Sequence, residues 1–261
     1  MKKASFIISH KRTSIERERN IDIVLKWFKQ ILQPEDDIEI VIVEQGEKQT
    51  LDPSNYRDLP YTLSYLFVQK SGYFNKSWGY NIGANMAKSD ILNFIDNDII
   101  LPRASLEAGF ELLDRVDAVR CYDRLYALTN DETNQLSVDI NSAQLSKHTL
   151  RDFSVPGGYM LIRRDLFYNV GGWDEEFEGW GGEDTAFGYK LLPYQTAAVT
   201  EVAFHLHHEN YGTSTDTVNF ESVRQVYKQI TSLSHEQILE RAKAVRIGDI
   251  HRFVRQSQER T

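Results

Sequence analysis

An α/β fold, with a mostly parallel central sheet, helices on both faces and a helical C-terminal extension, is predicted by three features of the sequence. Apolar runs alternate with amphipathic stretches through the first half of the chain, the pattern of a parallel sheet covered by helices. One run, residues 38–43, is almost uninterrupted and β-branched, as suits a central strand buried on both sides. Another, residues 91–95, leads directly into Asp96-Asn97-Asp98, and acidic residues at the carboxyl end of such a strand point into the crevice where open α/β sheets bind ligands.

The elements follow in order. Residues 5–9 read as the first strand. Thr13 and Glu16 have capping-box spacing, and the pairs Ile23/Val24, Trp27/Phe28 and Ile31/Leu32 recur every four residues, predicting a helix with one buried face. Residues 38–43 and 63–68 supply the next two strands. Over 75–88, Trp78, Ile82 and Met86 form an apolar row with Gly79, Gly83 and Ala87 beside it, so this helix is expected to press closely on the sheet. The polar stretch 124–153 is too weakly periodic to assign. Residues 155–163, opening with Pro156-Gly157-Gly158, and 197–207 read as strands. Phe220, Val223, Tyr227 and Ile230 line one helix face, and Ser234 with Gln237 caps a last helix through Val245. No repeat or low-complexity linker interrupts the chain, so residues 1–215 read as the α/β body and 216–261 as a helical extension of the same domain.

The chain has 261 residues, 41% of them hydrophobic, enough for a sizeable core. Its 38 Asp and Glu against 30 Lys and Arg give a net charge of -8, which repels phosphate backbones and disfavours nucleic acid as a partner. The lone Cys121 cannot form an internal disulfide; it reads as a small core residue in a reducing compartment. The basic first twenty residues hold only a short apolar patch, and no stretch approaches the ~20 apolar residues of a membrane span. The expectation is a cytoplasmic protein with at most peripheral membrane contact. From residue 239 onward Arg241, Lys243, Arg246, Arg252, Arg255 and Arg260 outnumber Glu240, Asp249 and Glu259, a pattern that fits a face near anionic lipid or a solvated helix end.

Several phosphate-binding devices are absent. Neither G-x-G-x-x-G nor G-x-x-x-x-G-K-[ST] occurs, which argues against dinucleotide and P-loop chemistry. Asp96-Asn97-Asp98 taken alone fits an acidic turn as well as a pair of carboxylates on a divalent cation that bridges a diphosphate; its place after an apolar strand favours the second. In residues 204–208, period two puts His205 and His207 on one face, opposite Phe204 and Leu206, with His208 on the apolar face or past the strand end. Two imidazoles on a polar face fit a structural role and a source of metal ligands equally well. Glycines crowd around Trp180, and Glu183-Asp184 then opens a helix, where the dipole favours carboxylates.

The run Gly179-Trp180-Gly181-Gly182-Glu183-Asp184 resembles the signature of β-1,4-galactosyltransferase-like enzymes, which polypeptide N-acetylgalactosaminyltransferases and bacterial chondroitin-type polymerases share in variant form. Phe74-Asn75-Lys76 with Asn81-Ile82-Gly83, the acidic triplet, Gly157-Gly158 and the histidine strand follow in the family's order and at similar spacing, over residues 5–210. The triplet is generic to GT-A glycosyltransferases; the 179–184 run is specific. The resemblance implies a GT-A fold, a UDP-sugar donor, Mn²⁺ or Mg²⁺, and direct transfer with inversion. It implies Asp98 with His207 or His205 as metal ligands, and His10, Arg12, Phe74, Lys76, Asp96 and Gly158 around the donor. Trp180, Gly181 and Gly182 would bind the acceptor, and Asp184, with Glu183 beside it, would deprotonate it.

Two departures stand out. Thr185 replaces the family's last acidic residue, and Phe204 stands where its metal-side methionine lies, three before His207. Val155 occupies the place where animal galactosyltransferases carry a crowding tyrosine, which leaves room for a 2-acetamido sugar. The implied function is transfer of a hexose or N-acetylhexosamine from a UDP-sugar to an oligosaccharide or lipid-linked glycan acceptor in polysaccharide biosynthesis. The competing readings are an inactive glycan- or nucleotide-binding module and a metal-dependent nucleotide-sugar hydrolase; donor turnover that rises sharply with added acceptor favours transfer.

Overall fold

In chain order the computed structural model runs β1 (Ala4–His10), α1 (Ile15–Ile31), β2 (Ile38–Gly46), β3 (Thr62–Gln69), α2 (Lys76–Met86), β4 (Ile91–Ile95), β5 (Ile99–Ile100), α3 (Arg103–Leu113), β6 (Ala118–Arg120), β7 (Arg124–Ala127), α4 (Asn130–Val138) and β8 (Leu150–Arg151). It continues with β9 (Tyr159–Arg163), α5 (Arg164–Asn169), α6 (Glu183–Lys190), β10 (Thr196–Ala198), β11 (Val202–His205), α7 (Thr217–Thr231) and α8 (His235–Ala244). The structure describes residues 1, 3–56, 61–140, 150–151, 157–179, 181–209 and 217–253. Val155, Trp180 and the side chain of Phe220 lie outside the described residues.

Among the described residues, seven strands form the main sheet in the order β10-β6-β9-β4-β1-β2-β3. It is parallel except where β9 runs antiparallel to both β4 and β6. Side chains alternate along each strand, and the two faces take different helices. Phe6, Ile8, Ile40 and Ile42 pack with Val24 and Phe28 of α1, whereas Ile7 and Val41 pack with Tyr80 and Ala84 of α2. This is the expected mostly parallel sheet with both faces covered. A second sheet, β5-β11-β7-β8, begins where β4 ends.

Three local expectations change. Helix α1 is capped by Ser14, whose hydroxyl accepts from the Arg17 amide at 3.3 Å, one residue beyond the Thr13 start. The single strand expected over 197–207 divides into β10, paired with β6, and β11, paired with β5 and β7. The unassigned stretch 124–153 contains β7, α4 and β8, and α4 opens on a capping box between Thr129 and Glu132.

At the C-terminal end, Val223 and Ile230 of α7 pack on Phe177 and Ala186, and Ser234 and Gln237 form the expected box before α8. The chain then returns to α2, where the Trp78 indole donates to the Asp249 carbonyl at 2.9 Å and meets the Phe253 ring edge-on at 4.8 Å. Arg241 pairs with Asp174 and Glu176, Lys243 with Glu240 and Arg252 with Glu175, so much of the basic excess is neutralised within the fold. No helix among the described residues is long and apolar enough to cross a membrane.

The close approach of α2 rests on its glycines. A Cβ on Gly83 would overlap the Ile7 side chain, and one on Gly79 would stand 2.7 Å from Gln45 Nε2 and 2.8 Å from Ser9 Cβ. Alanine in a helix interior is ordinarily favoured over glycine by about 1 kcal/mol. Here overpacking dominates, and Gly83→Ala is expected to lower stability by about 1–3 kcal/mol in urea unfolding. A rise in stability would show that α2 does not pack this tightly.

Candidate active site

The acidic triplet lies at the carboxyl end of β4, in a turn held by the Asp96 amide donating to the Gly158 carbonyl at 2.9 Å. Its two carboxylates part there. Asp96 faces α2 and α6, while Asp98 faces α1 and the histidine segment.

On the first side, Asn75 caps α2 by accepting from the Trp78 amide at 2.8 Å, which places Lys76 at the helix start. The Lys76 ammonium lies 2.8 Å from Glu183 Oε1, 3.0 Å from Asp184 Oδ1 and 3.5 Å from Asp96 Oδ1. The Tyr80 hydroxyl also donates to Asp96 Oδ1, at 2.7 Å. Glu183 and Asp184 open α6 behind Gly182, whose φ of +87° is a left-handed conformation that glycine adopts without steric cost. Burial opposes the charge on Lys76, yet Asp184, Asp96 and Glu183 outweigh it and raise its pKa well above the ordinary value. Desolvation pushes Asp184 up to about 8, with Lys76 pulling down and Glu183 and Asp96 adding to the rise. A carboxyl so placed exchanges its proton near neutral pH, as a general base must.

On the other side, Asp98 Oδ2 lies 3.2 Å from His208 Nε2 and 3.8 Å from His205 Nε2. One ligand atom from each of the three residues lies within 4.8 Å of the others. One carboxylate oxygen with two imidazole nitrogens suits a divalent transition metal. Burial opposes ionisation of Asp98, but Arg17, His205 and His208 together hold its carboxyl well below the usual range.

His207 is not part of this group, contrary to the period-two expectation. Strand β11 ends at His205; Leu206 is fully buried and its amide donates to the Asp98 carbonyl at 2.7 Å. The His207 amide donates to Thr133 Oγ1 at 2.9 Å, and its carbonyl accepts from Arg19 at 2.7 Å and Asn20 at 3.1 Å. The chain therefore leaves strand geometry after His205, and residues three apart, 205 and 208, come to share a side.

The remaining expected residues divide. His10 ends β1, fully enclosed, with Nδ1 2.7 Å from the Asn97 amide nitrogen. Accepting from that amide, the imidazole is the neutral Nε2–H tautomer, and burial lowers its pKa to about 4, Glu44 opposing and Arg17 assisting. A cleft of about 380 Å³ beside His10 is also lined by Arg19, Thr50 and Tyr56. Arg12 is turned to solvent and pairs with Glu18 at 2.8 Å, away from both carboxylate groups. The Phe74 carbonyl accepts from the Gly179 amide at 2.7 Å and so anchors the glycine loop. Gly157 packs against the Asp184 carboxyl, since a Cβ there would stand 2.7 Å from Asp184 Oδ2. Arg17, His208 and Tyr80 join the site without having been expected; the spacing of three between His205 and His208 was available as a signal, whereas nothing local marks Arg17.

The chain matches glycosyltransferase like family 2 over residues 7–239, and it belongs to that family. It is 26% identical to the hyaluronan synthase of Pasteurella multocida over 194 residues, 60% of this chain and 20% of that protein. This chain thus spans about a fifth of that relative's length. Among solved structures it resembles S. aureus TarS 1-349 in complex with UDP-GlcNAc, at a TM-score of 0.60 and 16% identity, covering 90% of this chain and 69% of that one. It also resembles GalNAc-T7 with UDP, GalNAc and Mn²⁺, at a TM-score of 0.59 and 15% identity, covering 98% of this chain and 54% of that one. The fold is that of the GT-A glycosyltransferases.

The enclosed His10 makes stability depend on pH. Its folded pKa of about 4 lies below the ordinary histidine value of 6.5, so between these values the unfolded chain binds more protons and stability falls as pH drops. The expected loss is on the order of 3 kcal/mol by pH 4, and His10→Gln should flatten that part of a plot of Tm against pH. An unchanged slope in the variant would remove His10 as its source.

Proposed function

We propose that this chain is a metal-dependent inverting glycosyltransferase that moves a hexose or N-acetylhexosamine from a UDP-sugar to a glycan acceptor. The observation that carries this reading is the parting of the triplet, with Asp98 in the two-histidine group and Asp96 in the Lys76–Asp184 group. One strand end then serves both a leaving diphosphate and an attacking hydroxyl. Mn²⁺ or Mg²⁺ held by Asp98, His205 and His208 would supply the positive charge that stabilises the departing diphosphate. Asp184 accepts the acceptor's hydroxyl proton as the oxygen bonds to the anomeric carbon and the bond to UDP breaks with its electron pair leaving on the phosphate. Lys76 keeps Asp184 oriented, and Glu183 stands beside it for sugar hydroxyls. In this reading His10, Phe74, Lys76, Asp96 and Gly158 would serve the donor and Gly181 and Gly182 the acceptor, as would Trp180, which lies outside the described residues; Arg12, paired with Glu18, would be a donor contact only after leaving that pair.

The ligands named for TarS and GalNAc-T7 support a UDP-linked donor, and Mn²⁺ in the latter supports the metal. The acceptor proposed is an oligosaccharide or lipid-linked glycan met in the cytoplasm. Residues 1–215 would carry the chemistry and 216–261 would brace it as part of the same domain.

Chelation should abolish transfer and Mn²⁺ should restore it; full activity in excess chelator would sink the metal assignment. His208→Ala should lose the thermal shift caused by Mn²⁺, whereas His207→Ala should keep it.

Asp184→Asn should cut transfer ~10²- to 10⁴-fold while leaving UDP affinity in Mn²⁺ nearly unchanged. Because Asp184 is pushed up to about 8, kcat/KM should rise with pH through the neutral range as the carboxyl loses its proton. Wild-type turnover in Asp184→Asn would pass the role to Glu183.

A further inference from the structure

We propose that Arg17 is an exchangeable counter-ion of the Asp98–His205–His208 group, a resident cation that a divalent metal must displace and that sets the metal's affinity. The inference rests on the metal-site reading above and adds a residue to it.

Arg17 donates from Nη1 to Asp98 Oδ2, the same oxygen that His208 Nε2 approaches at 3.2 Å and His205 Nε2 at 3.8 Å. The same nitrogen lies 3.4 Å from Asn97 Oδ1, so the guanidinium bridges two residues of the triplet. A metal bound to that oxygen would stand against a group of like charge. Arginine cannot escape by losing its proton, since its pKa lies above about 12. Displacement of the side chain is the remaining route.

The structure permits that movement. The Arg17 side chain is 25% exposed, against 7% for Asp98, so it borders solvent while its partner does not. Its backbone is fixed by the Ser14 cap, and the following residues Arg19 and Asn20 hold the His207 carbonyl. Exchange therefore requires a side-chain swing without loss of the first turn of α1. Until the metal arrives, the guanidinium compensates a carboxylate that is otherwise enclosed, because an enclosed charge without a partner is costly. Arg17 thus keeps the ligands assembled and makes the metal compete for them.

The test is Mn²⁺ binding alone, read as the free-ion signal by electron paramagnetic resonance, for wild type, Arg17→Gln, Arg17→Lys and Asp98→Asn, with melting temperatures recorded with and without Mn²⁺. Arg17→Gln should bind Mn²⁺ about tenfold tighter or more, since the like charge is gone, and should melt lower without metal but gain more from it. Arg17→Lys, which keeps the charge and loses the fork, should fall between and serves if Arg17→Gln does not fold without metal. Binding to Arg17→Gln alone would also support the inference, as complete occlusion of the wild-type site. Equal or weaker binding by the folded Arg17 variants, with wild-type binding lost in Asp98→Asn, would overturn this role while leaving the metal site standing. No Asp98-dependent binding in any variant would overturn both.

Discussion

The Lys76 ammonium among the Asp96, Glu183 and Asp184 carboxylates is the interaction on which the rest of this site depends. It joins the start of α2, the end of β4 and the start of α6, elements far apart in sequence. At an effective dielectric near 20, two unit charges ~4 Å apart interact by about 4 kcal/mol. Without the ammonium the three carboxyl groups would face one another with no opposite charge, which favours their protonation. The position of Lys76 is in turn fixed by how closely α2 approaches β1, and that distance exists because Gly79 and Gly83 carry no Cβ against Ser9 and Ile7. A packing constraint in the core therefore becomes an electrostatic one within this group of charges.

The glycine loop is held at both ends by α2 and the residue just before its cap. Asn81 exchanges hydrogen bonds with the Trp173 backbone at 2.8 and 3.0 Å, and the Phe74 carbonyl takes the Gly179 amide. Between them, buried Glu175 accepts from Asn81 at 2.8 Å, from the Gly248 amide and from Arg252 at 2.7 Å. The returning C-terminal segment thus supports the loop through the Glu175 carboxylate. A loop held in this way can turn sharply at glycines and still present the first turn of α6 at a defined place.

Much of this was legible in the sequence, for reasons that are local. The apolar run of β1 announced a strand and that of β2 a strand buried on both sides, and the four-residue recurrence from Ile23 to Leu32 fixed the phase of α1. The triplet was recognisable by its place after β4. Helix α4 escaped because its buried residues are only Thr133 and Leu136, too few to show a period, although its Thr129/Glu132 box was present to be read. His208 escaped for a different reason. Period two holds only while the strand lasts, and the strand ends where Leu206 enters the core and Thr133, Arg19 and Asn20 seize the next residue. Those contacts come from α1 and α4, and no pattern within 202–208 encodes them. Arg17 lies further still from local reading, since its partner is 81 residues away.

The shift from His207 to His208 also changes what the departure at Phe204 means. The resemblance implied a methionine three residues before the metal-binding histidine, and counted from His208 that place is held by His205. Under the proposed reading the spacing is kept, and the ligand atom would change from a thioether sulfur to an imidazole nitrogen. Thioethers favour soft ions, whereas imidazole with carboxylate suits borderline divalent transition metals, and Mg²⁺ prefers oxygen and retained water. Under the proposed reading, two nitrogens and one carboxylate oxygen therefore favour Mn²⁺ over Mg²⁺. That bias would lie in a turn whose geometry is set by a buried leucine, a threonine on α4 and the first turn of α1, so under this reading the choice of ion would follow from how the chain leaves its strand.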